Sequence, residues 1–146
     1  MHSMRFDHMS SAGYLVNHMA RLFFEELRKR IEHLGIVPGQ FPALLALWVE
    51  DGQTQRDLVK KLDIEQATMA NTLNRMERDG LITRVDHPTD GRAKIILLTD
   101  KARSVRDDAY AAATSVNSMA LAELSEEERE QFIDYMRRTI QTLQNL

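Results

Sequence analysis

Ala67, Thr68, Asn71, Asn74, Arg75 and Arg78 recur at helical spacing. At about 100° per residue they fall on the side of one helix opposite Met69, Leu73 and Met76. The apolar side is an anchor. The other side is short, polar and cationic, and Gln66 stands in its first turn. An asparagine can make two contacts to an adenine edge, and an arginine can reach guanine or a phosphate. The Ala67 methyl and the Thr68 side chain suit a thymine methyl. The first turn of such a helix enters the major groove most deeply. Gln66, Ala67, Thr68 and Asn71 are therefore the candidates for base edges, and Arg75 and Arg78 for phosphates.

An ordinary solvated helix face would have much the same composition, so the decision rests on the segment C-terminal to it. Gly80-Leu81-Ile82 leads into a strand, and Arg92 stands beside Gly91 at the tip of a turn-rich loop. A projecting arginine there suits insertion into a minor groove. Asp90 is spaced to hold its guanidinium, with Arg84 completing the pair across the hairpin. A surface ion pair alone would contribute little; after a helix and a strand, Asp90-Gly91-Arg92 carries more meaning.

The elements that must position these residues are legible in the apolar periodicity. A first helix fits residues 10–34, with Leu15, Met19, Leu22, Phe23, Leu27, Ile31 and Leu34 at spacings of three and four and Gly35 as its C-cap. Val37-Pro38-Gly39 is a break. A second helix fits 40–50 around Leu44, Leu45, Leu47 and Trp48. Thr54 is the N-cap of a third, ending at about Leu62. The fourth fits 65–79 and stops at Gly80, with Asp63 better suited than Glu65 to cap its start. Residues 81–86 and 93–98 alternate as strands around His87-Pro88-Thr89-Asp90-Gly91-Arg92. A fifth helix fits 99–121, Ala-rich along one stripe. Ser125 and Glu128 form a capping-box pattern before a last helix to about Leu143.

The expected fold is mainly α with a β-hairpin wing: a winged helix-turn-helix in the order α-α-α-α-β-β-α-α. It forms one domain over 1–146, with the winged core at about 38–100 and long flanking helices at about 10–34 and 100–146. Those flanking helices have more apolar face than one small module can bury, which argues for a dimer.

Composition removes several classes of function. The 146 residues contain no cysteine, so disulfides, thiolate zinc sites and cysteine-based oxidant sensing are excluded. His2, His8, His18, His33 and His87 are scattered, which argues against a dedicated zinc site, and no cofactor is expected. The eight methionines fit core packing better than redox chemistry. No apolar run approaches the roughly 20 residues of a membrane helix, and the start lacks the apolar stretch of a secretory signal, so the chain reads as cytoplasmic. The net charge is −3, and residues 53–100 are neutral, with eight basic and eight acidic side chains. Any DNA binding must come from a few cations placed on one face. No phosphate-binding glycine loop, Gly-x-Ser-x-Gly elbow or metal-spaced histidine pair argues for an enzyme. Glu126-Glu127-Glu128 is a solvated helix start. The remaining rival is a winged helix used for protein contacts, which would place exposed apolar anchors on the fourth helix rather than Asn71, Asn74, Arg75 and Arg78.

The sequence resembles the MarR family of bacterial transcription regulators over nearly its whole length. The resemblance is most specific from Ile64 to Lys101. It rests on Ile64-Glu65-Gln66-Ala67-Thr68, Thr72-Leu73-Asn74-Arg75-Met76-Glu77, Asp79-Gly80-Leu81-Ile82-Thr83-Arg84, Asp90-Gly91-Arg92-Ala93-Lys94 and Leu98-Thr99-Asp100-Lys101-Ala102. The wording of the fourth helix is close to the SlyA-like branch. The resemblance implies a homodimer built on the terminal helices, with two winged lobes on a palindromic double-stranded DNA operator. It also implies that Arg92 enters the minor groove braced by Asp90, and that Ala67, Thr68 and Asn71 meet bases. Several relatives carry arginine at the position of Asn71, and the two residues favour different bases. The family implies repression relieved by a small, often anionic aromatic effector in the cleft between platform and winged lobe. Here the candidates for that cleft, from helices one, two and five, are Tyr14, His18, Arg21, Phe41 and Trp48. Phe41 and Trp48 also suit the core, and His18 suits an interface.

Overall fold

The structure is a computed structural model that describes residues 4–146; His2 lies outside the described residues. Seven helices and three strands follow one another among them. They are α1 (Ala12–Ile31), α2 (Phe41–Val49), β1 (Gln53–Thr54), α3 (Gln55–Leu62), α4 (Gln66–Arg78), β2 (Ile82–Asp86), β3 (Lys94–Leu98), α5 (Asp100–Ser104), α6 (Arg106–Ala120) and α7 (Glu126–Gln144). Short 3-10 turns precede α1 and occupy the link between α1 and α2.

The helix starts are built from side-chain oxygens that take up otherwise unpaired amides. Ser11 accepts from the Tyr14 amide at 3.3 Å and Thr99 from that of Ala102 at 3.2 Å. Thr54 and Asp57 form a reciprocal capping box on α3, as Ser125 and Glu128 do on α7. Asp63 does not cap α4 as expected. It closes α3 in the left-handed conformation, at φ 53°, a state in which aspartate is tolerated better than most residues. Glu65 is the N-cap of α4 and supplies no side-chain hydrogen bond, so the first amides of α4 have no side-chain cap.

Two features depart from the expected element order. The first is β1, which pairs antiparallel with β3 and gives a sheet ordered β1-β3-β2. Its Gln53 is buried, and the Nε2 group donates to the carbonyls of Ala46 and Glu50 at 3.2 and 2.6 Å, tying off the end of α2. The second is a break in the fifth helix at Val105. The Trp48 indole donates to the Ala102 carbonyl at 3.0 Å, the acceptor that a continuous helix would offer to the amide of residue 106.

The core is one cluster. Ile31, Ile36, Leu44, Leu47, Leu58, Met69, Leu73, Met76, Leu81, Ile82 and Ile96 are its largest fully buried side chains, each contributing about 1.5–3 kcal/mol by burial. The platform helices are less covered. Ile31 is the one fully buried residue of α1, while Leu15, Leu22 and Phe24 are exposed, and α7 buries none of its residues. Helix α6 packs on α1, and Ala109 and Val116 are its buried residues.

Candidate nucleic-acid interface

Helix α4 is held in place by its inner face. Met69, Leu73 and Met76 have no accessible surface, and Gln66, Ala67, Thr68, Asn71, Arg75 and Arg78 are all exposed. Directly before it, α3 and the tight turn at Asp63 complete the helix-turn-helix. The Gln55 amide lies 3.5 Å from both the carbonyl and the Oε1 of Gln66, which joins the two helices at their outer edge.

Arg75 and Arg92 have no ion-pair partner among the described residues. Arg78 donates through Nε to Asp79 Oδ1 at 3.1 Å, yet its side chain remains 71% exposed. That arginine, with Gln40 second to it, holds the Asp79 carboxyl below its usual range.

The β2–β3 register explains the placement of Arg84. Arg84 lies opposite Ile96, and Ile82 opposite Leu98. Side chains alternate along a strand, so Arg84 shares the inner face with buried Ile82, Ile96 and Leu98 and is itself half-buried. It turns toward α4 and not toward the tip. Its Nη2 donates to Asn74 Oδ1 at 2.8 Å, and its Nε lies 3.7 Å from Glu77 Oε2. The expectation that Arg84 completes a pair with Asp90 is therefore corrected: Arg84 joins the hairpin to α4.

The bracing of Arg92 is also different in kind. Asp90 Oδ1 accepts from the backbone amide of Arg92 at 3.0 Å, not from its guanidinium. The carboxylate shapes the turn from within, as an Asx turn does, and leaves the arginine head free. His87 shares this work. Its Nδ1 accepts from the amides of Thr89 and Asp90 at 3.1 and 3.0 Å, while its own amide donates to the Ala93 carbonyl at 3.3 Å. In the sequence His87 opens the turn-rich loop and is one of five scattered histidines, with no role of its own; the signal for one is its place directly before Pro-Thr-Asp-Gly.

The five residues expected in an effector cleft do not form one group but include two stacked pairs, Tyr14 with His18 and Phe41 with Trp48. His8, Tyr14 and His18 stack edge to face in series, with centroids 5.0 and 6.0 Å apart, and Arg21 is exposed farther along α1. Trp48 sits between Phe41 and Tyr110, at 6.0 and 5.5 Å. A solvent-open cavity of about 530 Å³ lies between α1, α2 and α3, lined chiefly by Phe24, Leu27, Phe41, Leu45, Val49 and Leu62, of which Phe24, Leu45 and Val49 remain exposed. Phe41 is the one member of the five on its wall. Lys61 at its edge is 3.4 Å from Glu50. Among the described residues, no three His, Cys, Asp or Glu side chains group to hold a metal ion, and no helix is long and apolar enough to cross a membrane.

The same arrangement recurs in known proteins. Residues 36–94 match the model of the MarR family. Over 108 residues the chain is 30% identical to the organic hydroperoxide resistance transcriptional regulator of Bacillus subtilis, spanning 72% of this chain and 74% of that one. This chain belongs to the MarR family. Its structural likeness to solved relatives extends beyond the winged core to the terminal helices. PcaV of Streptomyces coelicolor, solved in complex with its natural ligand, superposes with a TM-score of 0.81 at 25% identity, over 95% of this chain and 98% of that one. Reduced AbfR, solved bound to DNA, gives 0.72 at 27% identity over 90% of each chain. The expected winged helix of the family is the fold observed, and the relatives that the chain resembles are transcription regulators.

Proposed function

We propose that this MarR protein works as a cytoplasmic homodimer on a palindromic DNA operator and represses until a small molecule fills the cavity beside α2. The observation that carries the DNA half of this reading is the state of α4 and the wing. An apolar inner face fixes the helix, its outer face is free, and Arg84 ties the hairpin to Asn74. Helix and wing then meet the duplex as one body, α4 in the major groove and Arg92 in the minor groove. Ala67, Thr68 and Asn71 read bases, with Gln66 at the mouth of the groove. Arg75 and Arg78 hold phosphates, and Arg84 and Asp90 position rather than touch. The winged core spans about 38–100, and the helices at about 10–34 and 100–146 form the platform. The wording of α4 supports membership of the SlyA-like branch.

The effector half rests on the cavity, whose walls are apolar and whose cation is Lys61. A small aromatic with an acidic group suits it if Lys61 exchanges Glu50 for the ligand. The solved complex of PcaV with its natural ligand supports a ligand response. A thiol-based response to hydroperoxide is not open to these residues, which include no cysteine.

The test is Arg92→Ala. Its affinity for operator duplex should fall about tenfold, the order of one specific arginine contact, as read by fluorescence anisotropy at several salt concentrations. Binding as tight as the parent throughout would remove the minor-groove role.

A further inference from the structure

Gln40 is 2% exposed, one of two buried polar residues among those described. It sits in the 3-10 turn Pro38–Gln40 that links the platform helix α1 to α2. Both ends of its amide are used. Oε1 accepts from the Val37 amide at 3.1 Å and closes its own turn. Nε2 reaches across 39 residues of sequence to donate to Asp79 Oδ2 at 2.8 Å. Asp79 is the C-cap of α4. Its second carboxylate oxygen accepts from Arg78, and its carbonyl accepts from Lys101 Nζ at 2.9 Å.

Apolar packing by Met69, Leu73 and Met76 sets how deep α4 lies but is not directional. A hydrogen bond to a carboxylate is directional and strong. Among the described residues, the bond from Gln40 is the side-chain hydrogen bond that fastens the end of α4 to the turn leaving the platform. That turn also lends Pro38, and its C-cap Phe41, to the cavity wall. We propose that Gln40 is a positioning residue for DNA recognition. It holds α4 at the angle dictated by the α1–α2 turn, so that the two recognition helices of a dimer present a fixed spacing to the operator. This rests on the reading of α4 as the DNA-reading helix.

The experiment compares Gln40→Leu with the parent on two duplexes of equal length: the palindrome enriched from a random pool, and a random sequence. Non-specific binding follows the number of phosphate contacts, and the substitution changes no charge. The random duplex should bind as before while the palindrome weakens by up to about tenfold, because a bond to a charged group that is made in the free protein as well as in the complex sets the ceiling on the loss. Equal weakening on both would mean a merely structural role and would overturn the proposal, as would no change on either.

Gln40→Glu supplies a second readout. At neutral pH the introduced carboxylate faces that of Asp79, with Arg78, Lys101 and the Val37 amide as the other groups around the pair, and discrimination is lost. As pH falls and the pair takes up a proton, one carboxyl can donate to the other and the link re-forms. Discrimination should then recover relative to the parent's own pH profile; no recovery contradicts the proposal.

If the parent itself selects no duplex, the DNA reading has failed, and amide exchange in the free protein decides about Gln40. Gln40→Leu should speed exchange at Asp79, Gly80 and Leu81, whose amides close the end of α4, and leave α3 unchanged. Parental exchange at those three amides would overturn the proposal.

Discussion

Asn71 and Arg75 stand one helical turn apart on the same exposed face of α4, and their chemistry separates two kinds of contact. Asn71→Ala should remove discrimination at one base pair, worth about 1–3 kcal/mol, and leave binding to random duplex nearly unchanged. Arg75→Ala should weaken binding to every sequence and reduce the slope of log affinity against log salt by about one. Anisotropy titrations on matched and mismatched duplexes distinguish the two; a uniform loss from Asn71→Ala would move that residue from base to phosphate. The face of α4 was legible in the sequence because helical period alone sorts Met69, Leu73 and Met76 from their polar neighbours. The partners of Asp90 and Arg84 were not. A carboxylate at a turn bonds the nearest backbone amide before it finds a guanidinium. The direction of Arg84 depends on strand register, which the His87–Arg92 loop does not disclose. Of the effector candidates, Phe41 lies on the wall of the cavity between α1, α2 and α3; where Tyr14, His18, Arg21 and Trp48 stand relative to it depends on packing between helices that single-helix periodicity does not encode.

Helix ends carry much of the local specification. Thr54→Ala should cost about 1 kcal/mol by freeing the Asp57 amide at the start of α3, measured by denaturant unfolding. The backbone and side chain of Thr54 hold the Asp57 carboxyl below its ordinary value. A depressed carboxylate stabilises the fold above its unfolded pKa, and this is lost as pH falls through the folded value. Asp57→Asn should therefore lower stability at neutral pH and make its decline shallower below about pH 4. A decline as steep as the parent's would place the acid sensitivity elsewhere. Gly80 has φ +75° with no heavy atom within 4 Å of a Cβ built there, so Gly80→Ala should cost only the left-handed backbone penalty, about 1–2 kcal/mol. Capping patterns made α3 and α7 legible to within a residue. β1 escaped because two residues are too few to show alternation. The break at Val105 escaped because the contact beside it, from the Trp48 indole to the Ala102 carbonyl, joins residues far apart in the sequence.

The whole molecule leaves an apolar surface uncovered. Leu15, Leu22 and Phe24 on α1, and Ile140 and Leu143 on α7, are exposed, which fits a platform completed by a second copy. Ile140→Asp together with Leu143→Asp should shift the protein from dimer to monomer in sedimentation. It should also abolish preference for a palindrome over a single half-site. A dimer that survived both substitutions would put the interface elsewhere. The surplus of apolar face at the termini was visible in the sequence, since its periodicity runs through both flanking helices; which residues meet across the interface depends on a partner's shape.

Whether paired reading helices and wings recognise a palindromic duplex decides the function proposed for this protein. It is tested most directly by selecting duplexes from a random pool with the purified protein and tracking the affinity of the winners against salt. The expected result is a palindrome with half-sites about one helical turn apart and affinity falling steeply as salt rises. Failure to enrich any sequence at low salt, by the protein freed of bound small molecules, would contradict it and return the winged helix to a role in protein contacts.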